Sequence, residues 1–367
     1  MSISDYTKAD FGRSPLMFYY EVTRACDLVC KHCRASAQDN PHPGELTTEK
    51  SKSLIDQLAT FPRRPVLVIT GGDPLKRSDL FDLIRHAVTA GIQVALTPSA
   101  TPLATFEALR AVKQAGVRRL GISLDAANAT THDAFRGWQG SFDRTLRMLA
   151  DAQRLELPVQ VNTTITRRNL HQIDEMAALL ATEEIAMWSV FFLVPVGRGV
   201  QEERISPQEY EHAFERLWYH ARHLPFGVKT TEAPHYRRYV LEHDGNPLAG
   251  PQGQDNGSRA RGHRAPLGVG DGKGVMFVSH AGEIFPAGFL PVTCGRFPRD
   301  SIVDVYQNHH LFRALRDPDG FKGKCGICEY RYVCGGSRSR AYGVTGDLLE
   351  AEPDCLHIPS QNAELVV

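Results

Sequence analysis

Three cysteines within eight residues, Cys26, Cys30 and Cys33, constrain this chain more than any other stretch. They lie in Thr23-Arg-Ala-Cys-Asp-Leu-Val-Cys-Lys-His-Cys-Arg34, just after an apolar run ending at Val22, so the loop that carries them leaves the end of a strand. Spaced C-x3-C-x2-C, three thiolates can hold one inorganic cluster, but they can neither saturate four irons nor complete a four-ligand zinc site. One metal position stays open, and an open position on a redox cluster is where a substrate or cosubstrate binds. Three reduced thiols, or a zinc site completed by His32 or a distant ligand, are the plainer readings of the same residues.

The chain of 367 residues is long for one ordinary domain, and 42% hydrophobic residues supply a sizeable core. Forty-two basic and 42 acidic residues cancel, so no global field draws in nucleic acid or an anionic membrane. Residues 1–15 lack a charged-then-apolar signal pattern, and apolar runs such as 187–196 fall short of the roughly 20 residues of a spanning helix. A cytoplasmic location is therefore expected, with the eight cysteines as metal ligands rather than disulfides. Three lie near the start, none between residues 34 and 293, and five from Cys294 to Cys355, which points to two ligand clusters in separate domains.

Apolar, β-branched runs at 16–22, 65–70, 93–97, 117–124, 158–164 and 186–194 predict six strands. Helical spacing at 48–58, 79–90, 102–115, 142–155 and 170–181 fills the intervals. Such alternation predicts an α/β fold with parallel strands, a partial (β/α)6 TIM-like barrel whose chemistry gathers at the C-terminal strand ends. A doubly wound open sheet is the alternative. The cysteine loop, Gly71-Gly72-Asp73-Pro74, Ser99, Ser123 and Asp125 fall at such ends, with Asn162 inside the fifth strand. Beyond Ser206 come helical stretches at 208–223 and 234–243. A Gly-, Pro-, Asn- and Arg-rich segment follows at 244–265, read as a lid or a plain linker, and then a hairpin at 275–285. The expected division is a core at 1–205, a connection at 206–265 and a smaller cysteine-rich module at 266–367.

Near the C-terminus, Cys325, Cys328, Cys334 and Cys355 form a C-x2-C-x5-C-x20-C array with glycines that allow tight turns. Four ligands make one complete site, and ligand count alone leaves iron and zinc open.

The cysteine loop after one strand and Gly71-Gly72-Asp73-Pro74 after the next resemble the signature of the radical S-adenosylmethionine (SAM) enzymes. The resemblance implies a [4Fe–4S] cluster on Cys26, Cys30 and Cys33, with SAM on the open iron. It implies a glycine backbone that holds the methionine amino group, although Asp73 stands where the family has Glu. Ser99, Ser123, Asp125 and Asn162 become candidate SAM contacts, His32 a neighbour of the adenine, and Pro195 with Gly197-Arg198-Gly199 a wall of the adenine pocket. Ser, Asp and Asn at strand ends also commonly cap helices. The C-terminal array is similar to a SPASM or twitch domain with one auxiliary [4Fe–4S] cluster. Ala287 occupies the position of a cysteine needed for a second auxiliary cluster, which leaves Cys294 as a buried free thiol.

Residues 324–355 resemble radical SAM enzymes that modify haem side chains, such as iron-coproporphyrin decarboxylases and the propionate-removing enzyme of d1-type haem synthesis. That implies a 5′-deoxyadenosyl radical attacking a tetrapyrrole propionate, supplied with electrons by a low-potential donor such as flavodoxin or ferredoxin. Arg338, Arg340, Arg259, Arg261 and Arg264 could pair with substrate carboxylates, since guanidinium forks suit bidentate binding, although surface arginines are common and for any one of them the plainer reading is an arginine with no substrate role. The rival readings are a maturase of a ribosomal peptide, although only 25 residues precede Cys26, and a non-catalytic iron–sulfur or zinc protein.

Overall fold

The structure, a computed structural model, describes residues 6–248, 266–360 and 365–366. Arg259, Arg261, Arg264 and most of the expected 244–265 lid lie outside the described residues. Six parallel strands, β1 (Met17–Glu21), β2 (Val66–Thr70), β3 (Val94–Leu96), β4 (Val117–Ser123), β5 (Val159–Ile165) and β6 (Met187–Phe192), pair in chain order. Helices α1 (Thr48–Ala59), α2 (Leu80–Thr89), α3 (Phe106–Ala115), α4 (Ala129–Arg136), α5 (Ser141–Arg154) and α6 (Ile173–Ala181) return the chain between them. The result is the partial barrel that the alternating pattern predicts.

Alternation along each strand separates core from lumen. On β1, Phe18 and Tyr20 are fully buried against the helices, while Met17 and Tyr19 line the interior cavity. Leu54, Ile55 and Leu58 of α1 complete the same core, each worth roughly 1.5–3 kcal/mol of burial. Side-chain caps fix the helix starts: Thr47 accepts from the Lys50 N–H at α1, and Asn128 from the Thr131 N–H at α4.

Two elements of the barrel have weak sequence signals. Helix α4 is only eight residues long, Ala-Thr-Thr-His-Asp-Ala-Phe-Arg, too polar for an apolar stripe. Strand β7 (Gly227–Thr231) follows α7 (Pro207–His223), pairs parallel with β6 and buries only Gly227 and Val228, so it shows no apolar run. The sheet thus extends one strand past the expected six, with α8 (His235–Glu242) after it.

At the other edge the expected hairpin joins the same sheet. β8 (Val275–Val278) pairs parallel with β1, Met17 opposite Val275, and β9 (Glu283–Phe285) and β10 (Gly295–Arg296) add antiparallel beyond it. The ten-stranded order is β10-β9-β8-β1-β2-β3-β4-β5-β6-β7. Short helices α9 (Ile302–Asn308), α10 (His310–Arg316), α11 (Gly323–Ile327) and α12 (Arg338–Thr345) carry the chain to the second group of cysteines.

Candidate active site

A cavity of about 960 Å³ occupies the barrel lumen and its C-terminal mouth. Cys26, Cys30 and Cys33 all reach it, as do His32, Gly71, Gly72, Ser99, Ser123 and Asn162. The sequence-predicted strand-end residues are thereby brought to one wall. Asp73, Pro74 and Asp125 stand behind it, and the two acids are buried with relative exposures of 0% and 1%.

The loop that carries the cysteines is held by backbone pairing rather than by regular structure. Gly72 N–H donates to the Thr23 carbonyl at 2.9 Å and Asp73 N–H to the Ala25 carbonyl at 2.7 Å, so the glycine turn lies flat against the approach to Cys26. A Cβ on Gly71 would sit 2.4 Å from the Thr23 carbonyl oxygen, and one on Gly72 2.4 Å from that of Ala25. Only glycines permit this approach. The carboxylate of Asp73 accepts from Thr101 Oγ1 at 2.6 Å, Leu75 N–H at 3.1 Å and Ser99 N–H at 3.3 Å, which ties the turn to the loop after β3. Ser99 Oγ donates to the Gly72 carbonyl at 2.9 Å and lies 3.7 Å from Cys26 Sγ.

The sulfurs are met by donors. Leu28 N–H points at Cys26 Sγ and Ala37 N–H at Cys33 Sγ, both at 3.4 Å, and Arg136 Nη1 stands 3.7 Å from Cys30 Sγ. Arg136, from the unexpected helix α4, also pairs with Asp125 at 2.6 Å. Asp125 accepts from the Thr164 N–H at 2.7 Å, and burial, which opposes its ionisation, is outweighed by Arg136. His32 stacks on Phe135 with 4.3 Å between centroids and lies 3.8 Å from Asp125, while burial lowers its pKa to about 4 and keeps it neutral. Gln160 Nε2 donates to Asn162 Oδ1 at 2.8 Å, which orients that amide at the lumen surface. Gly197 and Arg198, expected to wall the adenine, fold onto the cysteine loop itself: Arg198 N–H donates to the Cys33 carbonyl at 2.9 Å.

These thiols suit an iron–sulfur cluster. Burial pushes Cys26 up to about 11 and raises Cys30, so both keep their protons unless a metal displaces them. Three sulfurs and their N–H, hydroxyl and guanidinium neighbours form a donor-rich cradle for an anionic cluster with one iron unfilled by protein.

The second group is more closed. Cys325, Cys328, Cys334 and Cys355 line one small hollow with His235, Arg238 and Glu352 among its neighbours. Glu352 N–H donates to Cys325 Sγ at 3.3 Å and Gly336 N–H to Cys334 Sγ at 3.4 Å, and Arg338 Nη2 is 3.8 Å from Cys325 Sγ. Burial lifts the Cys328 thiol to about 12 and raises Cys334 further. Four thiols in one hollow fit a fully ligated cluster. Cys328, Glu329 and His357 also bring their ligand atoms within 4.8 Å of one another, but His357 is occupied by Glu329 and Glu242, each at 3.0 Å. Cys294 is free and buried in the main core, away from both groups.

Arg338 and Arg340 find partners inside the protein. Arg340, fully buried, donates Nε to Glu352 at 2.8 Å, lies 3.1 Å from Asp354 and donates Nη2 to the Glu232 carbonyl at 2.5 Å. Arg338 donates to the Glu350 carbonyl at 2.6 Å and covers the Phe321 ring at 4.6 Å. Both guanidiniums are spent on holding the cysteine module together, not on a substrate.

Two acids missed by sequence reasoning also line the cavity, Glu232 after β7 and Asp271 before β8. Ser337 Oγ donates to Glu232 at 2.5 Å, and Ser339 Oγ to Asp271 at 2.7 Å. Burial, then repulsion from Asp271, raises Glu232 to about 8, and burial likewise raises Asp271. Glu232 has φ 58, a left-handed conformation that a non-glycine residue seldom adopts. No local pattern around either acid marks it, since their meeting depends on β7 and β8 lying at the two flanks of one cavity.

Residues 20–180 match the model of the radical SAM superfamily. The chain is 39% identical over 349 residues to the AdoMet-dependent heme synthase of Methanosarcina barkeri, covering 95% of this chain and 98% of that protein. It is 30% identical over 352 residues to the pre-heme d1 synthase of Dinoroseobacter shibae, covering 92% and 85%. The crystal structure of Streptococcus suis SuiB, at 16% identity, superposes with a TM-score of 0.69 over 94% of this chain and 78% of that one, and shares the fold. The chain belongs to the radical SAM superfamily. It is an enzyme of that class, whose members bind a [4Fe–4S] cluster and SAM. No helix among the described residues is long and apolar enough to cross a membrane.

Proposed function

We propose that the enzyme acts on propionate side chains of an iron-bearing tetrapyrrole, removing their carboxyl groups as carbon dioxide. The observation that carries this reading is the near full-length similarity, 39% over 95% of the chain, to a protein named for haem synthesis. A cavity of about 960 Å³ at the mouth of the barrel, at the upper end of the usual range for ligand sites, supports a bulky flat substrate.

When bound, the cluster and SAM supply a 5′-deoxyadenosyl radical able to take hydrogen from an unactivated carbon. This chain's residues do the rest. Cys26, Cys30 and Cys33 would ligate the site cluster. Gly71, Gly72 and Asp73 would form the turn beside the methionine, with Pro74 starting the next turn. His32, Ser99, Ser123, Asp125 and Asn162 would shape the remaining SAM surface, Asp125 acting through Arg136 and His32. Cys325, Cys328, Cys334 and Cys355 would hold one auxiliary [4Fe–4S] cluster in the 266–367 module, beside the cavity wall made by Gly336 and Ser337. Each hydrogen removed from a side chain leaves an electron to be passed on when carbon dioxide departs, and a cluster held by these four cysteines would supply an acceptor for it. A low-potential donor such as flavodoxin or ferredoxin would supply the electron that cleaves SAM, and a reducing cytoplasm would suit cysteines that serve as cluster ligands.

The test is anaerobic turnover of iron-coproporphyrin III with SAM and a low-potential reductant. Stepwise loss of carbon dioxide from the porphyrin, matched to 5′-deoxyadenosine, is the expected result. 5′-Deoxyadenosine formed beside an unchanged porphyrin would overturn the substrate and favour a peptide maturase instead.

A further inference from the structure

The lumen is electrically uneven. Glu232 and Asp271 are the acids among its described lining residues, whereas Arg118 and Arg119 of β4 and Lys229 of β7 face it as cations. Arg119 is the informative member. On β4, Leu120 and Ile122 are fully buried toward the helices, so Arg119, Gly121 and Ser123 face the lumen. Its neighbour across β3 is Ala95, whose methyl leaves the guanidinium room.

Three other guanidiniums at this cavity have visible employment, and Arg118 is exposed. Arg34 pairs with Glu21 at 2.8 Å, Arg136 with Asp125 at 2.6 Å, and Arg237 donates to the Val333 and Val269 carbonyls at 3.0 and 2.8 Å. Arg119 has no hydrogen bond, ion pair or ring contact among the described residues, and burial lowers its pKa with no acid to offset it. It stays charged at any working pH. Half-buried and facing the cavity, the guanidinium is available to an anionic ligand there.

We infer that Arg119 is a substrate-binding residue that receives a non-reacting carboxylate of the substrate inside the lumen. This rests on the tetrapyrrole reading, which supplies a substrate with several carboxylates. From Arg119 to Ser123 the strand rises roughly 13 Å. A substrate held by its anionic edge at Arg119, with its reacting side chain near the cysteine loop, must be long and carry carboxylates at its periphery. A propionate-bearing macrocycle meets both demands, and the guanidinium fork offers the carboxylate two parallel hydrogen bonds.

The test compares Soret titrations of the reconstituted enzyme with iron-coproporphyrin III and with its tetramethyl ester, which has the same ring and no carboxylate. Arg119→Ala should weaken binding of the acid by roughly 10- to 100-fold, leave binding of the ester unchanged, and not lower the melting temperature. Arg119→Lys should recover part of the loss. Equal affinity of parent and Arg119→Ala for the acid would overturn the subsite, as would equal losses for acid and ester with a lowered melting temperature. A parent enzyme that binds neither porphyrin would overturn the tetrapyrrole reading together with this one, whereas binding that ignores Arg119 removes only the subsite.

Discussion

Arg198 Nε donates to the carbonyl of Cys30 at 2.9 Å, joining the loop after β6 to the cysteine loop after β1. Its Nη1 reaches the Ala37 carbonyl at 2.8 Å, so one side chain braces both ends of the segment that presents the sulfurs. Hydrogen bonds from a charged donor are worth about 1.5–3 kcal/mol each. Arg198→Ala should therefore loosen the loop without unfolding the barrel, and the fraction of site cluster recovered on reconstitution should fall at least twofold. Iron and sulfide analysis with low-temperature electron paramagnetic resonance reads this directly. A full complement of cluster with parent-like SAM affinity would show that Arg198 is dispensable.

Gly72→Ala forces a methyl group to within 2.4 Å of the Ala25 carbonyl oxygen, a backbone atom with no side-chain freedom to yield. The turn and the approach to Cys26 must separate. The variant should bind SAM at least tenfold more weakly while keeping a parent-like far-ultraviolet circular dichroism spectrum, because the contact lies above the core. Unchanged SAM affinity by equilibrium dialysis would remove the turn from the SAM site.

The barrel was legible because β1 to β6 are rich in apolar and β-branched residues and helices such as α1 and α5 carry apolar stripes. The cysteine loop and glycine turn were legible because their chemistry is local, written in residues close together in the chain. Strand β7 was not, since Val228 is its single large buried side chain and the strand is recruited by pairing with β6. Arg136 escaped notice for the same kind of reason: it lies 106 residues from the Cys30 sulfur it faces, on a helix with no apolar stripe. Arg338 and Arg340 show that the carboxylate and carbonyl chemistry suited to a guanidinium can be used up inside the protein, which the sequence around them does not tell apart from a substrate contact.

Removing one ligand from each group should separate their duties. Cys26→Ala should abolish reductive formation of 5′-deoxyadenosine, because the iron that is to meet SAM is lost with its cluster. Cys334→Ala should lose about half of the bound iron yet still form 5′-deoxyadenosine, with product formation impaired. If Cys334→Ala retained all of its iron, the C-terminal cysteines would not be cluster ligands. Zinc found in place of iron there by elemental analysis would return the module to a structural role.

Arg340 is fully buried between Glu352 and Asp354, with the Tyr210 ring 5.0 Å from its guanidinium carbon. Burial opposes ionisation of Glu352, but the guanidinium outweighs it and holds that carboxyl at about 2. Arg340→Met leaves Glu352 without its cation, while Asp354 keeps Arg204, and breaking a buried pair in this way costs about 3–5 kcal/mol. The variant should melt several degrees lower and lose its auxiliary iron first, since Glu352 N–H also donates to Cys325. The double variant Arg340→Met with Glu352→Gln should recover part of the stability, and no recovery would argue that the loss is one of packing.

Glu232 supplies a pH dependence of the opposite sign to that of a salt-bridged acid. Its ordinary value of 4.5 is raised to about 8, first by burial and then by Asp271, so between those values the folded protein keeps a proton that the unfolded chain has released. Stability from this group is therefore present at low pH, falls as pH rises from about 4.5 to about 8, and is level above that. Asp271, raised by burial, adds in the same direction, whereas Glu21 and Glu352, lowered to about 2, lose their contribution only below their ordinary range. Melting temperatures taken from pH 5 to pH 9 should decline more steeply for the parent than for Glu232→Gln, which is neutral throughout, and the two curves should diverge most near pH 8. Parallel curves would mean that Glu232 ionises normally in the folded enzyme.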